Sequence, residues 1–516
     1  EDVAVLAERL AAEGADFLGL SPLHALFPED PARRSPYSPS SRRWLNELYI
    51  ATDTAARDLG LPEVALPDAE GLRAADAIDW PAVARSKVAV LEQLWDGFAR
   101  LHLRPDEETA RGLEFRRWRA AQGGELERFC RFQALALTTA REAGRPVPFS
   151  AWPAGWRSPE EAGVQRFAEE HGPLVEQRAF LQWLADRQLA AAQARARAAG
   201  MWIGLYADLA VGVVPDGADA WGDQASMVAG ASVGAPPDPL GPLGQNWNVV
   251  APAPAALLAT DSAPLRATLQ AAMRHAGAIR IDHALGLMRL FLVPPGGTAA
   301  DGAYVRYPFG RLLQAVAEES RRAGSVVIGE DLGTVPEGFR PRLLEAGLLG
   351  YRVVWFEREW PDPRFLAPEA YLPQALATLS THDLATVRGF FAGQDITWRD
   401  RLGHFPGPDA LRAEREARSR DVWLLSERLG WQGLPADPAD PATRAVSLHR
   451  FLARTASCLA AVQLEDLADE LEQANLPGTI DEHPNWQRRL SRPFAGILAS
   501  DLATRIMAAM REERPR

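Results

Sequence analysis

The sequence predicts an α/β protein with a parallel sheet covered by helices, and two observations carry this prediction. Between residues 262 and 390, helical patterns alternate with short apolar runs, and this alternation is typical of a parallel sheet. Helices near 308–323 and 336–345 end at Gly324 and Gly347, each directly before such a run. Three apolar runs also end in acidic side chains, and the C-terminal strand ends form the active-site face of parallel barrels.

Composition limits the possible functions. The chain has 516 residues, which fits one enlarged barrel with insertions or two to three domains. Apolar content of 47% and charged content of 24% are typical of a soluble globular protein. A net charge of −12 argues against a nucleic-acid-binding surface and favours an uncharged substrate.

We expect a cytoplasmic protein without membrane spans. The chain has no run of about 18 apolar residues and no signal-peptide pattern. Its two cysteines, Cys130 and Cys458, suit a reducing compartment, and each is expected to be a small buried hydrophobe. Because the chain starts at Glu1 inside an amphipathic helix pattern and not at a methionine, we expect that a segment precedes it.

The first strand is followed by a segment of unusual composition. Residues 1–15 have a helical pattern and residues 16–20 a strand pattern. Residues 35–46 are rich in serine and proline, and therefore cannot form a helix. This segment contains Tyr37, and we interpret it either as a solvated turn or as a loop that contacts a sugar beside the first strand.

A predicted helical subdomain, residues 66–200, is inserted after the second strand. A capping box from Ser158 to Glu161 is expected to start its last helix, and Gly200 to end it. The helical patterns cover 80–102, 106–122, 126–143 and 158–199. A strand at 201–211 then has Asp208 near its end, and residues 212–260 are expected to form a long irregular loop. The aromatic and amide residues of this loop argue against disorder.

The three acidic strand ends are the candidate active site. In Ala278-Ile-Arg280-Ile-Asp282-His283, Arg280 and Asp282 point to the same side of a strand, so Arg280 can hold Asp282 ionised. The second run ends in Glu330 and Asp331, and the third in His382 and Asp383. One such pair could be a structural ion pair, but three acidic strand ends favour a functional site.

This set of residues suits glycoside chemistry, which needs one ionised carboxylate and one carboxylic acid. Asp282 beside Arg280 favours the ionised form. Glu330 follows an apolar strand and neighbours Asp331, and both burial and a nearby negative charge help a carboxyl to keep its proton. Asp383, with His382 and His283, could bind sugar hydroxyls.

Two alternatives remain open on these residues. The first is a metal-dependent hydrolase barrel, although the His-x-His and His-x-x-x-His pairs that such sites use are lacking and Arg280 would repel a cation. Its candidate ligands are His24, His283, His382, Asp282, Glu330 and Asp383. The second is a non-catalytic glucan-binding scaffold, which the three retained acids argue against.

Eight motifs occur together in one order, and with them the chain resembles the amylomaltase, or 4-alpha-glucanotransferase, family (glycoside hydrolase family 77). The motifs run Gly19–Pro28, Ser35–Asn46, Tyr206–Gly212, Gly234–Asp238, Arg280–His283, Gly329–Gly333, Ser380–Leu384 and Asn475–Thr479. The resemblance implies a (β/α)8 TIM barrel with helical insertions after the second and seventh strands and no C-terminal β-domain.

The resemblance also implies roles for the candidate residues. Asp282 would be the nucleophile, Glu330 the general acid/base and Asp383 the stabiliser of the transition state. Arg280, His283 and His382 would bind the same sugar ring and Tyr37 would be its aromatic platform, while Asp216 and Trp247 would line the acceptor side.

The implied reaction moves α-1,4-glucan segments between maltooligosaccharides by a retaining double displacement. These glucans are the expected partners. No cofactor, metal, nucleic acid or membrane is expected, and the protein is expected to be a monomer or weak homodimer. The expected organisation is 1–65, first part of the barrel; 66–200, helical subdomain; 201–395, barrel core with the acceptor-side loop 212–260; 396–455, helical insertion; and 456–516, last strand and C-terminal helix.

The sequence departs from the family pattern in three places. Pro239-Leu240 stand where the best-known members carry two aromatic residues, which leaves the formation of large cyclic glucans open. Leu384-Ala385 replace an Asn-Asp that many members have after Thr-His-Asp. The N-terminal region usual in the longer bacterial branch is not part of this sequence.

Overall fold

The structure is a computed structural model that describes residues 1–104, 107–228, 230–237, 243–437 and 439–515. Asp238 of the fourth family motif and the departure at Pro239-Leu240 therefore lie outside the described residues. Contacts divide the chain into two units, Glu1–Val327 and Ile328–Arg516.

The first unit contains short strands and helices of five to 34 residues. Its strands are β1 (Phe17–Gly19), β2 (His24–Ala25), β3 (Ser41–Leu45), β4 (Leu103–Arg104), β5 (Glu107–Glu108), β6 (Gly204–Leu209), β7 (Ser232–Ala235), β8 (Gln245–Val249), β9 (Ala278–Ile281), β10 (Arg289–Val293), β11 (Ala303–Arg306) and the start of β12 (Val326–Gly329). Its helices are α1 (Asp2–Ala12), α2 (Thr52–Asp58), α3 (Ala69–Ala74), α4 (Trp80–His102), α5 (Ala110–Ala143), α6 (Ala162–Glu170), α7 (Gly172–Ala198), α8 (Ala218–Gly222), α9 (Pro254–Ala259), α10 (Ala263–Met273) and α11 (Phe309–Ala323).

A parallel sheet of order β1-β6-β9-β12 forms the centre of the first unit. Strands β1 and β6 pair in parallel, as do β6 and β9. All four residues of β9 are buried, because the sheet is covered by helices. The predicted α/β class with parallel strands is therefore confirmed. Along the chain, the helical segment lies between β3 and β6, and β2 and β3, which precede it, form a separate antiparallel pair.

A second sheet, of order β11-β10-β7-β8, corrects the prediction of an irregular loop over 212–260. Its strands pair antiparallel. Glycine and proline around β7 and β8 hide the alternation that would indicate strands. The run Arg289-Leu-Phe-Leu-Val293, which is β10, was the available signal.

The helical segment is close to its prediction. Helix α4 has the predicted bounds, and the side chain of Asp79 caps it by accepting from the Ala82 N–H at 2.9 Å. Helix α5 is kinked at Gly123, where the sequence predicts a break between two helices. The capping box predicted at Ser158 is wrong, because α6 begins only at Ala162 and α7 follows separately.

The second unit continues the pattern of strands and helices. Its strands are the end of β12, then β13 (Gly350–Val353), β14 (Ala375–Thr378) and β15 (Leu459–Ala461). Its helices are α12 (Phe339–Glu345), α13 (Val387–Ala392), α14 (Gln394–Arg401), α15 (Pro408–Trp431), α16 (Pro441–Arg454), α17 (Leu464–Leu467), α18 (Phe494–Leu498) and α19 (Asp501–Glu513). Strands β13, β14 and β15 form a parallel sheet in that order.

Two sequence-level expectations about single features have different outcomes. Cys130 is fully buried, as expected, but Cys458 is exposed at the start of the last strand region. Of the helices in the described ranges, none has both the length and the apolar character needed to cross a membrane.

Candidate active site

In the first unit, four side chains near strand ends form one hydrogen-bonded network. Nη1 of Arg280 donates to both carboxylate oxygens of Asp208, at 2.9 and 2.8 Å. Nη2 of Arg280 lies 2.8 Å from Oδ1 of Asp282. The hydroxyl of Tyr37 donates to Oδ2 of Asp208 at 2.5 Å. The expected contact between Arg280 and Asp282 is present, and Asp208 joins it to Tyr37.

Strand register explains why these groups meet. Asp208 in β6 and Arg280 in β9 are direct partners across the parallel pair. The Asp282 N–H donates to the Leu209 carbonyl at 3.0 Å, so the pairing continues one residue beyond β9. His283 then adopts a left-handed φ of 45°, which ends the extended chain. Asp282 is thus held at the last paired position of the strand, on the same side as Arg280.

Burial sets the protonation of the neutral members of this site. Burial, together with the Asp208 carboxylate, raises the pKa of the Tyr37 hydroxyl well above its usual value, so the tyrosine stays a hydrogen-bond donor. Burial also lowers the pKa of His283, although the charge of Asp282 acts in the opposite direction. Arg280, only 8% exposed, therefore supplies the positive charge between the two carboxylates.

Trp247 lies on an ordered strand, β8, and not in an irregular loop. Its indole Nε1 donates to Oε1 of Gln245 at 2.9 Å. The edge of the indole meets the ring of His283, with centroids 5.1 Å apart and planes at 77°. Because His283 directly follows Asp282, the structure brings Trp247 next to the Arg280–Asp282 segment.

Asp216 takes part in a different contact. Its carboxylate accepts two hydrogen bonds from Arg33, at 2.8 and 3.0 Å. The guanidinium of Arg33 also lies over the ring of Phe27, 3.5 Å from the centroid. Nearby, burial raises the pKa of Glu29 to about 7, while the charge of Arg33 partly opposes this shift.

In the second unit, Glu330 and Asp331 have different partners. Glu330 is 9% exposed, and its Oε1 accepts from the Leu332 N–H at 2.8 Å. Asp331 is 1% exposed, and its carboxylate binds Arg340 at 2.7 Å and Arg352 at 2.9 Å. The charge of Asp331 is therefore balanced by two guanidinium groups.

His382 and Asp383 are held from the segment that follows the last strand. Nδ2 of Asn475 donates to Oδ1 of Asp383 at 2.6 Å, and the Asn475 N–H donates to the His382 carbonyl at 3.0 Å. Nε2 of His382 lies 3.3 Å from Oδ2 of Asp383. Gln473 adds a bond to the Asp383 carbonyl at 3.1 Å, and the ring of Trp486 lies 5.5 Å from that of His382. Both the backbone and the side chain of Asp383 are thus constrained.

Sequence reasoning missed the roles of Asp208 and Asn475 in these networks. Asp208 carried the same signal as the other acids, a position at the end of an apolar strand, but no arginine stands two residues away from it. Asn475 lies within the Asn-Leu-Pro-Gly-Thr motif, which does not indicate its contact. Within the described ranges, no three His, Cys, Asp or Glu side chains come together as a metal-ligand set.

Comparisons with known proteins give a consistent result. A sequence profile described as 4-alpha-glucanotransferase matches residues 1–494. The 4-alpha-glucanotransferase of Mycobacterium tuberculosis is 38% identical over 526 residues, covering 98% of this chain and 70% of that protein. The 4-alpha-glucanotransferase of Haemophilus influenzae is 35% identical over 520 residues, covering 97% and 74%. The crystal structure of amylomaltase from Corynebacterium glutamicum is similar with a TM-score of 0.85 and 33% identity, covering 98% of this chain and 71% of that one.

Proposed function

The chain belongs to the 4-alpha-glucanotransferase family, which acts on α-1,4-glucans, and from this premise we propose that it moves glucan segments between maltooligosaccharides with Asp282 as nucleophile. In this proposal Glu330 is the general acid/base and Asp383 stabilises the transition state. The observation that carries it is the 2.8 Å contact of Arg280 with Asp282, because a guanidinium at that distance favours the ionised carboxylate that a nucleophile requires.

The proposed reaction has two steps. The carboxylate of Asp282 attacks C1 of the donor sugar while Glu330 gives its proton to the glycosidic oxygen, so that one glucan leaves and a covalent β-glycosyl-enzyme forms. Glu330, now ionised, then takes the proton of an acceptor 4-hydroxyl, which attacks C1 and releases Asp282. Two inversions retain the α configuration. If water replaces the acceptor, the same steps become hydrolysis.

The remaining candidate residues would bind substrate. We propose that Arg280, His283 and His382 hydrogen-bond the hydroxyls of the reacting sugar and that Tyr37 forms its aromatic platform. Trp247, with its indole beside His283, and Asp216 would line the acceptor side. A well-bound acceptor would exclude water and favour transfer over hydrolysis.

The finer architecture is also a proposal. The parallel strands of the two units support a (β/α)8 barrel with helical insertions. Its parts would be 1–65 and 201–395 for most of the barrel, 66–200 and 396–455 for the insertions, and 456–516 for the last strand and C-terminal helix. We further propose a cytoplasmic monomer or weak homodimer that needs neither cofactor nor metal.

Product analysis with maltotriose tests the proposed reaction. We expect glucose together with a ladder of longer maltooligosaccharides, because each transfer lengthens an acceptor. Glucose and maltose without a ladder would identify a hydrolase, and no turnover at all would contradict the catalytic assignment.

The variant Asp282→Asn tests the nucleophile. We expect both transfer and hydrolysis to fall by about three orders of magnitude or more, because the amide cannot form the glycosyl-enzyme. Asp261→Asn is the matched control, since Asp261 is in the same unit with a side chain that is 82% exposed. Transfer by Asp282→Asn at a rate near that of the control would remove Asp282 as nucleophile.

A further inference from the structure

Three tryptophans of the second unit are unusually exposed and lie on two elements that are joined to each other. Trp423 and Trp431 are 61% and 52% exposed on α15, and Trp360 is 78% exposed on a short hairpin. In the hairpin, Arg358 and Phe365 form an antiparallel bridge, so that Trp360 lies near its tip. We call these three side chains the tryptophan surface.

Two ion pairs join the hairpin to α15, one on each side of Trp423. Nη2 of Arg358 lies 3.0 Å from the carboxylate of Asp421, two residues before Trp423. Nη2 of Arg428 lies 2.9 Å from Glu359, the residue before Trp360. These ion pairs join the backbone segments that carry the indoles, which reduces the backbone entropy lost when a ligand binds.

Further contacts hold Trp431, which lies at the C-terminal end of α15. The Arg428 Nε donates to the Phe365 carbonyl at 2.7 Å, and Phe365 is fully buried beneath the hairpin. The guanidinium groups of Arg364 and Arg428 lie 5.2 and 4.8 Å from the centroid of the Trp431 ring. These guanidinium groups lie over the indole and hold its position through cation–π contacts, while about half of the residue stays exposed.

The spacing on α15 suits an extended ligand. Trp423 and Trp431 are eight residues apart, which places them about 12 Å apart along the helix axis and about 80° apart around it. An oligosaccharide of several units can contact both indoles. A single small molecule would contact only one.

The charge of the surface selects an uncharged ligand. Three arginines that bind the hairpin or α15 beside this surface are each paired with one acid, in the pairs Arg358–Asp421, Arg364–Asp362 and Arg428–Glu359. With three positive and three negative charges, the surface has no net attraction for nucleic acid or an anionic membrane. Indole faces pack against the apolar C–H faces of sugar rings, and paired guanidinium and carboxylate groups can bond the hydroxyls at the ring edges.

We propose that the tryptophan surface binds α-1,4-glucan chains through side chains other than those assigned to catalysis. The inference rests on the proposed function for the identity of the glucan. Binding here would raise the local concentration of long substrates through a second attachment point, with no effect on substrates too short to reach both places.

The double variant Trp360→Ala/Trp423→Ala tests this inference, with Trp202→Ala as matched control. Trp202 is 79% exposed but belongs to the first unit. In native gels containing amylose, we expect retardation of the wild-type protein and of Trp202→Ala, and at least a fivefold weaker retardation of the double variant. Circular dichroism and the melting temperature establish that the variants are folded.

Kinetics separate this inference from the proposed function. Maltotriose disproportionation by the double variant should stay within twofold of wild type, while KM for amylose should rise severalfold. Equal retardation of the wild type and the double variant would overturn the inference. A wild-type dimer that the double substitution abolishes would also overturn it, because a second copy of the chain would then cover the tryptophan surface. Failure of wild type to disproportionate maltotriose would instead contradict the proposed function, and the gel result would still report binding.

Discussion

Asp208 connects the residues proposed to act on the sugar. It is bound by Arg280 through both carboxylate oxygens and by the Tyr37 hydroxyl, while the same arginine also contacts Asp282. Arg280 is buried between two carboxylates, so its position depends on both. Asp208 is therefore a positioning residue for the proposed nucleophile and for the tyrosine platform.

The variant Asp208→Asn should lower kcat by about 10- to 100-fold, with a smaller change in KM. The amide oxygen can still accept a hydrogen bond from Tyr37 or Arg280. The variant lacks the negative charge that the Asp208 carboxylate places beside the Arg280 guanidinium. Arg280 then acts on Asp282 alone, which lowers the pKa of that carboxyl and moves the acidic limb of the pH–rate profile to lower pH. A merely structural role would reduce the melting temperature without this shift of the profile.

Asp466 is a buried acid of the second unit, and its ionisation destabilises the folded protein. Burial raises its pKa to about 7, and the negative charges of Glu465 and Asp469 add to this, while the bond that its Oδ1 accepts from the Val387 N–H opposes it. Its Oδ2 lies 3.9 Å from Nε2 of His449, and neither atom has a hydrogen-bond partner among the described residues. Burial lowers the pKa of His449 to about 4, so in the folded protein both side chains are neutral between about pH 4 and pH 7.

The variant Asp466→Asn should be more stable than wild type above pH 7. Between about pH 4 and 7 the folded protein binds a proton at Asp466 that the unfolded chain releases, so this residue's contribution to the free energy of unfolding falls as pH rises through that window. The amide never ionises and can donate to His449. We expect a gain of about 1–3 kcal/mol at pH 8 in urea unfolding, shrinking towards pH 4. A gain that does not depend on pH would contradict this reasoning.

At the scale of elements, the junction between α10 and β9 fixes where the Arg280–Asp282 segment begins. The Gly277 N–H donates to the Leu205 carbonyl at 2.9 Å, which starts the pairing of β9 with β6. A Cβ at Gly277 would lie 1.9 Å from the carbonyl oxygen of Ile203. The sequence indicates only a helix break at this glycine, whereas the structure shows a close approach of two backbones.

The variant Gly277→Ala should destabilise the protein by about 3 kcal/mol, because the added Cβ would clash with the backbone of Ile203, which cannot move aside as a flexible side chain can. Gly172→Ala is the matched control, since Gly172 starts α7 with no atom within 4 Å of an added Cβ. Thermal melts of both variants compare the two positions. Equal melting temperatures would mean that the junction adapts and that the close approach is not required.

At the scale of the whole molecule, each unit has its own parallel strands and its own set of proposed catalytic residues. The first unit carries Asp282 with Arg280 and Asp208 around it, and the second carries Glu330 and Asp383. Asp282, the acidic candidate metal ligand of the first unit, is bound to a guanidinium, and a cation beside Arg280 would be repelled.

Activity should therefore survive removal of metal ions. After dialysis against EDTA, we expect the rate of maltotriose disproportionation to stay within about twofold of the untreated protein, which is less than 0.5 kcal/mol in activation free energy. Loss of activity that zinc restores would favour the metal-dependent hydrolase that the histidines and acids first left open.

The sequence predicted the bounds of an element best where several local signals agreed. Helix α4 has its predicted bounds because Asp79, Pro81 and the apolar period all agree. The strands β7 and β8 were missed because, among the described strands, β8 pairs only with β7, and β7 gains its second neighbour, β10, from a segment more than fifty residues further along the chain. The contact of Arg280 with Asp282 was foreseeable, since alternation along one strand places both side chains on one side.

By itself, the sequence determined the α/β class, the acidic strand ends and, through its motifs, the family. Only the tertiary structure decided that Asp208 shares Arg280 with Asp282 and binds Tyr37, which is 171 residues away, and that Asn475 holds Asp383, which is 92 residues away. The reason is physical: side-chain direction along a strand follows from local geometry, whereas contacts between distant segments depend on strand register and packing, which no local pattern specifies.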